Sequence, residues 1–170
     1  RDVLHCLAYG CPNINVALIA DCNSAYATSR WGPTGVFGRS PGLLPKPAFV
    51  ALATLTLMLD QAEFLRFLPT GSTSLYALEF RRGNAFAYAL WSGRGARTLT
   101  LDAGPAGIRD GRDSMGRPLA CVGQTGSFDL VVSESPCYLT AAGPLAVLKA
   151  GSPLHPDAPI MDFTVINPMD

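Results

Sequence analysis

The chain has 170 residues, of which 48% are hydrophobic and 15% charged, with 13 basic residues balanced by 13 acidic ones. That composition suits one ordinary globular domain, or a small domain joined to a remnant of another, and excludes a disordered chain. A net charge of zero gives no electrostatic reason to expect nucleic acid or an anionic membrane as partner. The longest apolar run, 48–59, falls well short of the roughly 20 residues a membrane helix needs.

Arg1 enters directly on a helical pattern with no signal-peptide layout, so the chain reads as a piece of something longer. Residues 2–9 are expected to end a helix, with Gly10 as its C-cap and Pro12 blocking continuation. The run INVALIA at 14–20 has no alternation and suits a strand buried on both faces, as in a parallel sheet covered by helices. Residues 21–46 form a long connection rich in glycine and proline, and its aromatic and arginine residues favour a functional loop. Pro47 then fits the first turn of a helix predicted to run to residue 68, with Asp60, Gln61, Glu63 and Arg66 on its solvent side. Helix, strand, loop and helix together make a βα unit preceded by the helix of the unit before it.

After Gly71 the period changes. Residues 75–81, 85–91, 97–102, 119–122 and 128–133 are predicted strands, separated by glycine turns such as Arg82-Gly83-Asn84. Short strands at this spacing indicate an antiparallel β-sandwich. The expected fold class is therefore an α/β fragment followed by an all-β antiparallel sandwich. Residues 1–70 form the first part, 71–140 the sandwich, and 141–170 a proline-rich tail or the start of a further segment, with one possible strand at 163–166.

Chemistry-bearing residues are sparse. Asp21 and Asn23 close the predicted strand, and Tyr26, Arg30 and Trp31 follow. Sugar recognition needs this mixture, a flat ring for the apolar face of a pyranose and carboxylate or amide groups for its hydroxyls. Asp21, Asn23, Tyr26 and Trp31 are accordingly the candidate substrate contacts, with packing of the loop against its surroundings as the plainer role. No acid/base carboxylate pair is visible: Asp60 and Glu63 read as a solvated helix face, Glu79 as outward on its strand, and Glu134 as preceding a turn proline. His5 reads as a packed helix residue, and His155 with Asp157 is too thin for a metal or catalytic site. The stretch from Gly32 to Ser40 has the wrong spacing for a phosphate loop. Of five cysteines none has zinc spacing; Cys121 and Cys137 could pair, although buried thiols are the better expectation. No cofactor or metal is expected.

These segments resemble the C-terminal end of the (β/α)8-barrel glycoside hydrolases of the large retaining clan, in members that append a β-sandwich. The likeness rests on the strand ending in Asp21, on Tyr26 and Trp31-Gly32, and on Pro45-Lys-Pro-Ala-Phe opening a helix that resembles the last barrel helix. It continues through Ser74-Leu-Tyr-Ala-Leu-Glu-Phe as a first sandwich strand and Tyr88-Ala-Leu-Trp91 as a second. Asp113-Ser-Met-Gly116 is similar to a turn of such sandwiches, and Ser135-Pro-Cys-Tyr-Leu139 to their closing strand. The resemblance implies a carbohydrate substrate, a barrel remainder upstream in the same polypeptide, two catalytic glutamates in that remainder and an extracellular or periplasmic location. A non-catalytic carbohydrate-binding or structural surface module is the alternative.

Overall fold

The computed structural model describes residues 1–15, 19–22 and 32–153. Helix α1 spans Asp2–Ala8 and helix α2 spans Pro47–Leu59. Eight strands follow: β1 (Glu63–Phe67), β2 (Leu75–Arg82), β3 (Ala85–Ser92), β4 (Arg97–Asp102), β5 (Ile108–Arg112), β6 (Ser127–Val132), β7 (Cys137–Ala141) and β8 (Ala146–Pro153). All named pairings are antiparallel. They form a five-stranded sheet in the order β1-β2-β3-β7-β5 and a three-stranded sheet in the order β6-β4-β8.

The chain is thus β-rich, with antiparallel sheets stacked through one core. Leu75, Ala77, Tyr88, Leu90 and Leu139 of the larger sheet meet Leu99, Leu101, Phe128, Leu130 and Val132 of the smaller one. The reverse face of the larger sheet is apolar as well. Leu78, Phe80, Ala87, Ala89, Trp91 and Tyr138 pack beneath Leu4 of α1 and Met58 and Leu59 of α2. Three layers result: helices, five-stranded sheet, three-stranded sheet. Burial follows this layering. Alternate residues of β6 are buried, as on an outer sheet, whereas the last six residues of β3 are all buried. On the helix side Trp91 stacks on Tyr76 at 4.8 Å, and His5 meets Tyr76 and Trp91 edge-on at 5.2 and 5.3 Å. These rings seat α1 on the sheet.

Four expectations are corrected. The helix predicted to reach residue 68 stops at Leu59; Gln61 takes a left-handed φ of 53°, and the chain turns back as β1 to pair with β2. Tertiary pairing overrides helix propensity here, because Arg66 lies opposite Glu79 in the sheet. Ser74-Leu-Tyr-Ala-Leu-Glu-Phe consequently lies on the second strand of the sheet. The strand expected at 119–122 is turn, and β5 takes its place beside β7 because Ile108 has a core face to fill. Ser135-Pro-Cys-Tyr-Leu139 leads into β7 but does not close the sandwich: β8 follows and pairs with β4. Of the predicted strand at 14–20, residues 16–18 lie outside the described residues, as does all of 163–166.

Glu79 is the fourth correction. It is only 2% exposed and points into the space between the sheets, since both faces of β2 are covered. Arg66 Nε donates to its Oε2 at 2.6 Å, the Tyr88 hydroxyl donates to its Oε1 at 2.9 Å, and the Leu145 N–H donates to Tyr88 Oη at 2.8 Å. Cross-strand register sets this up, because Glu79 faces Arg66 on β1 and Tyr88 on β3. Burial pushes the Tyr88 phenol pKa up, keeping it a neutral donor. Tyr88→Phe would orphan a buried carboxylate oxygen and a buried amide, so it is expected to cost about 1–3 kcal/mol in urea unfolding; a loss below about 0.5 kcal/mol, the size of a neutral surface change, would contradict the network.

Cys121 and Cys137 are both buried thiols. Burial, with Cys121 nearby, pushes Cys137 from its ordinary 9.0 up to about 12. Unfolding therefore releases a proton between those values, and stability falls as pH rises through that window. Cys137→Ala is expected to flatten the fall in the urea midpoint above pH 9.0; an unchanged slope would remove Cys137 from the account.

Candidate functional site

The sequence places its candidate contacts at one end of the long connection, and the structure shows how that end is built. Asp21 N–H donates to Phe37 O at 3.1 Å, and Phe37 N–H donates to Ile19 O at 2.9 Å, a short parallel bridge between Ala20 and Phe37. Phe37 also bridges Pro45, and Lys46 N–H donates to Val36 O at 2.9 Å. Three stretches of chain are thereby laced together just ahead of α2. Gly35 is what lets them approach. A Cβ there would lie 2.4 Å from both the Ala20 carbonyl carbon and the Asp21 nitrogen, so no larger residue fits without moving backbone.

Asp21 is 7% exposed and is the electrostatic centre of the lacing. Its Oδ1 accepts from Gly35 N–H at 2.9 Å and from Lys46 Nζ at 3.0 Å, and Oδ2 lies 3.4 Å from the same ammonium. Lys46 Nζ also donates to Pro33 O at 2.7 Å. Lys46 is the extended N-cap residue of α2, with Pro47 in the first turn. One residue thus ends the connection, starts the helix and neutralises a buried carboxylate. Directly beyond Asp21, Cys22 N–H donates to Gly32 O at 3.0 Å. That bond joins the two residues bracketing 23–31.

Of the four candidate contacts, Asp21 is described, and it braces the loop base. Asn23, Tyr26 and Trp31 lie outside the described residues. The sequence reading missed Lys46 and Gly35 as partners of Asp21. The available signals were a lysine directly before a helix-starting proline and a glycine in an otherwise long connection, neither of which names a partner.

The other carboxylates have structural surroundings. Asp60 and Glu63 are exposed, Glu79 is held by Arg66 and Tyr88, and Glu134 Oε1 accepts from Gly95 N–H at 3.3 Å. Asp113 organises the Asp113-Ser-Met-Gly116 turn: its Oδ1 accepts from the N–H groups of Met115 and Arg117 at 2.8 and 2.9 Å. Among the described residues no three His, Cys, Asp or Glu side chains gather as a metal site, and no helix is long and apolar enough to cross a membrane.

Gly35→Ala is expected to open the lacing, raising amide exchange of Asp21 and Phe37 at least tenfold; retained protection would show that the backbone contact is not needed. Lys46→Met leaves Asp21 buried without its cation and should cost about 1–3 kcal/mol in urea unfolding, while a neutral result would assign Asp21 to Gly35 alone.

No family profile matches the sequence, and no curated protein matches it. Solved structures do. A glycoside hydrolase family 30 subfamily 8 xylanase from Clostridium acetobutylicum aligns at a TM-score of 0.51 and 7% identity. A family 39 glycoside hydrolase from Bacteroides cellulosilyticus WH2 aligns at 0.53 and 20%, and a family 30 endoxylanase from Clostridium papyrosolvens C71 at 0.51 and 13%. Each alignment covers 65% of this chain but only 31%, 22% and 31%, respectively, of the other. The chain spans less than a third of the length of these proteins, and in fold it is similar to part of a glycoside hydrolase.

Proposed function

We propose that this chain is the C-terminal portion of a retaining glycoside hydrolase, with the catalytic glutamates in a (β/α)8 barrel upstream. Residues 1–70 would derive from the barrel and lend β1 to the sandwich, 71–140 would form the accessory sandwich, and 141–170 would carry β8 and continue the chain. The fold likeness to xylanases of family 30 and a hydrolase of family 39 carries the reading.

The surface of α2 supports it. Its thirteen residues include no charge, and Thr54 and Thr56 turn their hydroxyls onto carbonyls of their own helix. A helix apolar on all sides is a helix meant for burial. Here only one side meets the sheet; Leu57 is 58% exposed and Phe49 is also exposed, alongside Leu43 and Leu44 just upstream. Between α1 and α2 an open apolar groove of about 390 Å³ is lined by Val3, Leu7, Ile14, Leu52 and Leu55. Neighbouring barrel helices would cover these side chains.

In this reading the segment 23–31, which follows the Asp21–Lys46 base in the chain, would carry the substrate contacts. Asn23, Tyr26 and Trp31 would contact the sugar, with Asp21 as a fourth contact or as the brace of the base from which their segment departs. The substrate class is a β-linked polysaccharide such as xylan, by analogy with the two xylanases. Metals and cofactors have no part in the chemistry proposed, and nucleic acid and membranes are not among its partners.

The test is release of reducing sugar by the full-length protein from a panel of polysaccharides including xylan. Turnover is expected, with Trp31→Ala lowering kcat/KM by roughly tenfold or more, equivalent to about 1.4 kcal/mol of lost contact, and leaving the melting temperature nearly unchanged. An unchanged Michaelis profile with a lower melting temperature would make Trp31 a packing residue. Saturable binding of polysaccharide with no turnover would instead favour a non-catalytic carbohydrate-binding module.

A further inference from the structure

The last turn of α1 brings two cysteines together. Tyr9 is the C-cap, and Gly10 follows with a left-handed φ of 68°. Gly10 N–H donates to Leu7 O at 3.2 Å, and Cys11 N–H donates to Cys6 O at 2.9 Å. This six-residue wrap is the Schellman arrangement, whose geometry presses the side chain after the glycine against one in the final helical turn. Here both of those side chains are thiols. Cys6 is half-buried and Cys11 is exposed. That contact is frequently hydrophobic, a part a thiol can fill, but two thiols at these positions are also placed to react with each other.

We propose that Cys6 and Cys11 form a reversible disulfide that covalently locks the C-terminal cap of α1. The main-chain bond from Cys11 to Cys6 holds the two residues side by side, and closure requires their sulfurs to reach a bond of about 2.05 Å. An exogenous disulfide of the glutathione class is the oxidant. The exposed Cys11 thiolate attacks one sulfur of that reagent, forming a mixed disulfide and releasing one thiolate. Cys6 then attacks the Cys11 sulfur and expels the second. Two protein thiols lose two protons and two electrons, and one small-molecule disulfide becomes two thiols. Attack needs the Cys6 thiolate, so the closing step is expected to speed up as pH rises above neutral.

The remaining cysteines are set differently. Cys121 and Cys137 are buried in the sandwich core, where burial holds both thiols protonated. Only Cys22, half-buried beside the loop base, is open to competing exchange. Closure would matter because α1 is only seven residues long, and its last turn, through Leu7, Ala8 and the Tyr9 ring beside Phe67, shares with Leu4 and His5 the task of holding it to the sheet. A covalent cap keeps the helix wound through its last turn and fixes where the chain departs toward the loop base.

The experiment equilibrates the full-length protein with graded ratios of reduced to oxidised glutathione, folded and in guanidinium chloride. Samples are acid-quenched, alkylated and mapped by mass spectrometry. The expected result is a Cys6–Cys11 linkage lighter by two hydrogens. Its midpoint should lie at least tenfold toward the reducing side in the folded protein, a shift of about 30 mV. Cys22→Ser should leave that midpoint unchanged. Equal midpoints in the folded and denatured chain would overturn the proposal, as would Cys11 halting at the glutathione mixed disulfide with Cys6 free, or a Cys11–Cys22 linkage. In Cys11→Ser the melting temperature should no longer depend on reductant; a dependence that persists would place the sensitive bond elsewhere.

Discussion

The five-stranded sheet has two apolar faces, and every other layer exists to cover one of them. Tyr88 and Leu90 point to one side of β3 while Ala87, Ala89 and Trp91 point to the other, and all are buried. At roughly 25 cal/mol per Å² of apolar surface, leaving either face wet would cost more than a marginally stable domain possesses. The smaller sheet covers one face. The helices must cover the other, so α1 and α2 are integral to the β-rich fold even though they precede it in the chain. The buried Glu79 is tied to the same constraint: a carboxylate between two sheets survives only because adjacent strands deliver to it a hydroxyl from Tyr88 and the exposed cation of Arg66.

Much of this was legible in the sequence. β4 begins and ends at the predicted residues, and β2, β3 and β6 lie within one residue of expectation, because glycine turns separate the alternating apolar runs; Gly83 marks the β2–β3 hairpin, whereas Gly95 lies where the chain crosses from β3 of one sheet to β4 of the other. Pro47 marked the start of α2 for the reason expected. What misled was the double coverage of the sheet. Glu79 alternates with Leu78 and Phe80 and so read as solvent-facing, a rule that holds only when one face is wet. β1 was hidden for a related reason. Glu63-Phe-Leu-Arg-Phe67 continues the helical composition of α2, and only its pairing with β2 makes it a strand. The end of the sandwich was misjudged because β8 holds Gly151 and Pro153, residues that ordinarily mark the end of regular structure.

The candidate site was legible as a location and not as a mechanism. Sequence chemistry singled out Asp21 for its position at the end of an apolar run, and the structure gives it a specific task. The carboxylate is spent on Gly35 and Lys46, so its contribution to any ligand passes through the loop it braces. Nothing in a single sequence ties residue 21 to residues 35 and 46, because those contacts depend on how the connection folds back on itself.

The bond between Cys22 and Gly32 has a broader consequence. It is made by backbone atoms alone, as are the Asp21–Phe37 and Lys46–Val36 bonds beside it. These bonds make no demand of their own on side-chain identity at Cys22, Val36 or Phe37, so the base can keep its path while those side chains change; Asp21, Gly35 and Lys46, by contrast, hold it through what their side chains are or lack.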